Sequence, residues 1–201
     1  MGGRWVTTTV LASPLASQRM PSASKAPVLL LTGPPGVGKT TTARVLADRE
    51  ERAVHVEADH FFHFIRSGYV EPWRPESRQQ NETVMRIVAD TAAAYAAAGY
   101  LTIVDGIILP RFCLEPLRDR LRDKGHRVAY AVLRAPLAVC ESRARERPRT
   151  PLAEPEVIER LWRGFADLGP MEPNAVEIGS KNPDEAADLL AERLSDGSLA
   201  A

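Results

Sequence analysis

Cysteine is scarce in this chain, net charge is absent, and no long apolar run occurs. Cys113 and Cys140 are the only cysteines. They lie far apart in apolar surroundings and offer neither a disulfide framework nor a zinc-binding spacing, so they read as reduced core residues of a cytosolic protein. The 26 basic and 26 acidic residues cancel, which leaves no basic excess to attract nucleic acid or a membrane surface. The longest apolar stretches are strand-sized and fall well short of a bilayer span. Against these absences stand 201 residues, 44% of them hydrophobic and 26% charged. That is the composition of one globular domain with chain enough for a substantial core.

The first 26 residues lack acidic side chains altogether, carry Arg4, Arg19 and Lys25, and are rich in Ser, Thr, Ala and Pro. Their apolar patch Thr9-Val10-Leu11-Ala12 is too short and interrupted for a signal core. Residues 1–26 are read as a disordered extension, or as the product of a start placed upstream of Met20. The fold is expected over residues 27–196, with 197–201 as a flexible tail.

From Pro27 onward, strand-like and helix-like segments alternate. Strands are expected at Val28–Thr32, Ala53–Glu57, Leu101–Gly106, Val128–Leu133 and Ala175–Ile178, from short apolar or alternating runs. Helices are expected after the first strand to about Arg49, over Asp59–Ser67, from Pro75 to about Ala98, over Glu115–Lys124, from Pro136, over Glu154–Leu168, and over Asp184–Leu194 after Asn182-Pro183. Strands separated by helices make a parallel sheet with helices on both faces, an α/β fold.

One octapeptide organises this pattern. Gly33-Pro34-Pro35-Gly36-Val37-Gly38-Lys39-Thr40 follows the apolar run Val28–Leu31 and precedes the helix-like Thr41–Ala47. It satisfies G-x-x-x-x-G-K-[ST], the phosphate-binding loop, in its required strand-to-helix setting. Glycines let backbone N–H groups turn toward phosphate oxygens, and the helix start adds its positive dipole end. Lys39 is suited to the outer phosphates and the Thr40 hydroxyl to a magnesium ion. The nucleotide site is therefore assigned to Gly33, Pro34, Pro35, Gly36, Val37, Gly38, Lys39, Thr40 and Thr41.

Other candidates lie where such a sheet binds ligands, beyond the carboxyl ends of its strands. Asp59, just after the second strand, suits a proton acceptor for an attacking hydroxyl; Asp is equally a preferred N-cap for the helix that follows. Asp105 closes the apolar run Leu101–Val104 and suits magnesium support, with a turn before Gly106 as its other use. Among Arg143, Arg145, Arg147 and Arg149, the pair Arg143 and Arg147 shares one helix side and suits a phosphoryl group in transfer. An acceptor pocket is assigned to the aromatic-rich stretch after the second strand and the start of the long helix: His60, Phe61, Phe62, Arg66, Trp73, Arg78 and Asn81. His60 and His63 lack the further ligands a metal site needs.

With Gly33–Thr41, Asp59, Asp105 and the Arg143/Arg147 pair in place, the chain resembles the small P-loop kinases. Within these it is most similar to the chloramphenicol phosphotransferase-like group, related to the zeta toxins, shikimate kinase and gluconate kinase. The resemblance implies a five-stranded parallel sheet, a helical acceptor-binding region and an arginine-bearing lid. It implies transfer of the γ-phosphoryl of ATP, with Mg2+, to a hydroxyl of a small molecule, with Asp59 as base or hydroxyl aligner. The loop begins Gly-Pro-Pro-Gly-Val-Gly rather than with the Gly-Gly-Ser-Ser of chloramphenicol phosphotransferase, and His60–Trp73 gives no clear match to it, so chloramphenicol is not carried over as acceptor. A nucleotide or polynucleotide kinase and an ATP-binding regulatory switch remain the alternatives on sequence alone.

Overall fold

A computed structural model describes residues 27–146 and 154–201. Arg147 and Arg149 of the arginine cluster, and the whole of residues 1–26, lie outside the described residues.

Five parallel strands form one sheet: β1 (Val28–Thr32), β2 (Ala53–Glu57), β3 (Leu101–Asp105), β4 (Val128–Arg134) and β5 (Ala175–Glu177), in the order β2-β3-β1-β4-β5. Every named pairing is parallel. Strand β1, Val-Leu-Leu-Leu-Thr, is buried along its whole length, as expected for a central strand covered on both faces. The period of two divides its side chains between two cores. Val28 and Leu30 join Val104, Tyr130 and Val132 on one face, while Leu29 and Leu31 join Ile103, Ala131 and Leu133 on the other. Each fully buried Leu contributes roughly 1.5–3 kcal/mol.

Helices α1 (Lys39–Asp48) and α7 (Pro183–Ser195) pack together on the Leu29 face, while α3 (Arg78–Ala97) and α4 (Glu115–Asp123) cover the Val28 face. The start of α7 matches expectation: Asn182 accepts from Glu185 N at 2.9 Å and Glu185 returns the bond to Asn182 N at 2.8 Å, a capping box. Three elements differ in extent from the sequence reading. Helix α2 spans only Ala58–Phe62; Phe62 reaches the core but Phe64 is 73% exposed, so nothing supports a further turn. The long helix is preceded by a 3-10 turn, Pro75–Ser77, whose Ser77 hydroxyl donates to the carbonyls of Pro72 and Arg74. Helix α6 (Pro155–Gly164) stops short of Leu168. There Arg134 donates to the Phe165 and Ala166 carbonyls, supplying the partners that a helix end leaves wanting.

The last residues are not a loose tail. Leu199 is completely buried, Tyr130 N donates to Leu199 O at 2.8 Å, and Ala200 bridges Ala129 in antiparallel fashion. Strand β5 pairs only with Val132–Arg134, which leaves the earlier half of the β4 edge to be covered. Residues 197–201 cover it, because unpaired strand edges are costly.

Candidate active site

The loop Gly33–Thr40 leaves β1 at the sheet's carboxyl end, between the neighbours β3 and β4. That is the switch point at which connections depart to opposite sides, the place where open α/β sheets form a cleft. Gly33 and Gly36 have φ of 144° and 77°, and a Cβ on either would come within 3.0 Å of a backbone atom, at Leu133 and Cys140 respectively. The loop is thus held against the end of β4 and against α5 (Leu137–Arg145), with fully buried Val37 as its anchor. Lys39 is buried, and its Nζ donates to the carbonyls of Gly33 and Pro34 at 3.0 and 3.1 Å. Helix α1 opens on Gly38 with no side-chain cap and no acidic residue in its first turn. Its N-terminal dipole therefore faces the loop without a competing side-chain anion, the arrangement that binds phosphate.

Two carboxylates stand beside this loop in different environments. Asp105, at the end of β3, is 4% exposed, and its Oδ2 lies 2.6 Å from His55 Nε2. Asp59 occupies the second position of α2. The N-cap is Glu57, without a side-chain cap bond, so the capping use of Asp59 falls away. Asp59 is exposed at the start of α2, just beyond the carboxyl end of β2. Its pKa is raised, chiefly by desolvation from the protein groups around it; Lys39 opposes the shift, Asp105 adds to it, and His63 and His60 oppose it more weakly. The charges of Lys39 and Asp105 thus reach Asp59. Glu57 is held by Arg44 at 2.7 Å.

Arg143 sits on the opposite flank of the loop. Its Nη1 donates to Val37 O and its Nη2 to Lys181 O, each at 3.1 Å. This ties the loop to the connection between β5 and α7. A cavity of about 320 Å³ opens there, lined by Thr41, Thr42, Arg143, Lys181, Asn182 and Pro183 beside the loop glycines. Its size and partly apolar walls suit a nucleoside next to the phosphate cradle. Arg143 is therefore placed at the wall of this cavity, with two donors bound to carbonyls. Arg147, its expected partner over the transferring phosphoryl group, lies outside the described residues.

The residues expected around the acceptor divide into two groups. His60, Arg66 and Trp73 are exposed, and Phe61 is half-buried with its ring edge-on to Phe64 at 5.7 Å. Arg78 is exposed but pairs with Glu82 at 2.9 Å. Phe62 and Asn81 point inward and are removed from the pocket: Phe62 belongs to the core, and Asn81 Nδ2 donates to Pro72 O and Ser77 Oγ, fixing the turn before α3. Tyr69, in the loop after α2, is exposed, and its pKa is raised by partial burial, with Glu71 and Asp59 adding to the shift.

His55 and the Lys181–Pro183 connection were missed from the sequence. Alternation along β2 puts His55 on the same face as Glu57, but its proximity to Asp105 needs the β2–β3 register, in which Glu57 stands opposite Asp105. The signal for Lys181–Pro183 was its position just beyond the last strand, where such clefts form.

ATP with magnesium is the ligand that this loop implies, and the residues present fit it. Thr40 and Asp105 offer the hard oxygen donors magnesium takes. Among the described residues no group of three or more His, Cys, Asp or Glu is arranged to hold a metal alone. Few protein ligands are what magnesium requires when phosphate oxygens and water complete its shell.

Solved structures share this architecture. The tunicamycin resistance protein of Deinococcus radiodurans superposes with a TM-score of 0.62 at 20% identity, over 84% of this chain and 95% of that one. A sugar kinase from Janibacter sp. HTCC2649 gives 0.62 at 21% identity, over 88% and 99%. Shikimate kinase from Acinetobacter baumannii, in complex with shikimate, gives 0.57 at 19% identity, over 86% and 95%. At these identities the likeness establishes the fold. The peroxisomal Lon protease homolog 2 of Pichia angusta is 62% identical over 34 residues, so the chain spans only 4% of the curated relative it matches. The model of the AAA domain family AAA_33 matches residues 28–168, from β1 to just past the end of α6. With that match covering most of a five-stranded parallel sheet built around a phosphate loop, the chain belongs to the AAA_33 family of AAA domains.

Proposed function

We propose that the protein is an ATP- and magnesium-dependent phosphotransferase acting on a hydroxyl of a small molecule. The observation that carries this reading is the place of Asp59: an exposed carboxyl at the start of α2, just beyond the carboxyl end of β2, close enough to Lys39 and Asp105 for their charges to act on it. A hydrolytic switch needs the loop and magnesium support, but a carboxyl facing outward beside them suits a second substrate. The kinases among the fold's relatives support the same class.

In this reading the amides of Gly33–Thr41 and the Lys39 ammonium hold the phosphates, and the nucleoside lies against Arg143 and Lys181–Pro183. Thr40 and Asp105 would hold magnesium, which would supply neutralisation of phosphate charge. The acceptor oxygen bonds to the γ-phosphorus as the bond to the bridging oxygen breaks, ADP departs, and Asp59 takes the hydroxyl proton. Such transfer depends mostly on positioning and charge stabilisation. His60, Phe61, Arg66, Trp73 and Arg78 form the rim from which the acceptor is recognised, and Arg147 is left as the candidate to cover the transferring group.

The test is a panel of hydroxylated metabolites and antibiotics incubated with the protein, ATP and magnesium, read by mass spectrometry for a gain of one phosphoryl. A product that vanishes in Lys39→Ala is the expected result. ATP hydrolysis without any phosphorylated acceptor across the panel would instead assign a switch.

A further inference from the structure

The structure assigns to His55 the role of positioning residue for Asp105, fixing this carboxylate for magnesium-nucleotide binding. His55 lies in β2, one strand away from Asp105, yet Nε2 and Oδ2 are 2.6 Å apart. Their side chains are 11% and 5% exposed. In the β2–β3 register Glu57 stands opposite Asp105 and His55 opposite Ile103. The contact is therefore diagonal, between side chains on the sheet face that α1 covers, as expected from a period of two. Helix α1, which begins with Lys39 and Thr40, packs on this face through Ala43 and Leu46 against Leu31 and Ile103, and its Arg44 lies within electrostatic reach of Asp105.

A buried carboxylate with one partner on one oxygen has a fixed plane. His55 donates from Nε2 to Oδ2. That leaves Oδ1 as the oxygen for magnesium or a magnesium-bound water. Without the imidazole the carboxyl group can rotate about its last torsion, and the preformed orientation is lost. Groups that orient a ligand in this way typically alter metal affinity or activity by about 10–100-fold. Glu57, the other polar side chain on this face of β2, is taken by Arg44 and does not substitute. The inference rests on the reading of Asp105 as magnesium support and not on the identity of any acceptor.

The experiment measures the affinity of a fluorescent ATP analogue twice, with magnesium and with EDTA, in the full-length protein. In His55→Leu the affinity in EDTA should stay close to wild type, while the gain brought by magnesium falls about tenfold or more and the magnesium titration moves to higher concentration. His55→Asn, too short to reach Oδ2, is the second loss variant should the leucine protein not fold. His55→Gln, which can place an amide donor near the Nε2 position, should recover part of the gain. Asp105→Asn alone and combined with His55→Leu should give the same loss, because the histidine acts through the aspartate. A lowered melting temperature with an unchanged magnesium gain would make His55 a purely structural tie and overturn the proposal, as would losses that add in the double variant. Failure of the phosphotransfer reading would show in the acceptor screen and leave this binding experiment standing.

Discussion

Gly36 and Cys140 are in backbone contact: a Cβ built on Gly36 would come within 3.0 Å of the Cys140 carbonyl. The phosphate loop is therefore seated on α5, the same helix whose Arg143 reaches back to Val37 O. Backbone against backbone cannot yield as a flexible side chain would.

Gly36→Ala should accordingly displace the loop from α5. Its φ of 77° adds left-handed strain, about 1–2 kcal/mol for a residue with a Cβ. Gly38 also has a positive φ, 107°, but the nearest atom to its Cβ would be 3.9 Å away. Gly38→Ala should thus show strain alone. Titration with a fluorescent ATP analogue should find at least a tenfold loss for Gly36→Ala and a smaller one for Gly38→Ala; equal losses would refute the contact argument.

The raised pKa of Asp59 makes two opposite demands on pH. For activity, the base must be ionised, so transfer should fall as pH drops through a pKa lying above the ordinary carboxylate value. For stability the sign is reversed. The folded state holds this proton more tightly than the unfolded chain, so stability is lost as pH rises from the unfolded pKa through the folded one. Asp59→Asn should then lower transfer by about 10²–10⁴-fold while melting at or above the wild-type temperature at neutral pH. A fall in melting temperature would show that the ionised carboxyl stabilises the fold.

Arg143 joins the loop to Lys181 beside the cavity of about 320 Å³. Arg143→Ala should raise the KM for ATP more than it lowers kcat, since the lost bonds order the binding site rather than the reacting atoms. Steady-state kinetics at saturating acceptor separate the two. A dominant loss in kcat would return Arg143 to the transferring phosphoryl.

Leu199 is fully buried in the core shared by α1 and α7. Leu199→Ala should cost about 2–5 kcal/mol, as for other large-to-small core changes. Urea denaturation would measure it, and activity per folded molecule should be unchanged because the residue lies away from the cleft.

The phosphate loop was legible before any fold was known because its chemistry is local. Eight consecutive residues supply the turns, the ammonium and the hydroxyl, so spacing alone specifies the site. The strands and most helices were legible for a related reason: a period of two or 3.6 records which face is buried, whatever lies against it. The five strands and the Asn182-Pro183 cap appeared where expected. By contrast, α2 ended early and α6 stopped at Gly164, because the partners that support or finish a helix are distant in the chain.

Relations across strands were not written in any local pattern. The pairing of β2 with β3 brings His55 to Asp105, a contact fifty positions apart in sequence. Packing of α5 against the loop brings Arg143 to the Val37 carbonyl. The need to fill the core turns Phe62 inward, and the need to satisfy a turn's carbonyl does the same to Asn81, although both shared a stretch with exposed aromatics. A short β5 left an edge that the terminal residues close. The residues themselves dictated which groups could bind phosphate, donate or accept a proton; long-range pairing and packing dictated which of them meet, because burial and hydrogen-bond satisfaction are settled by neighbours in space rather than in sequence.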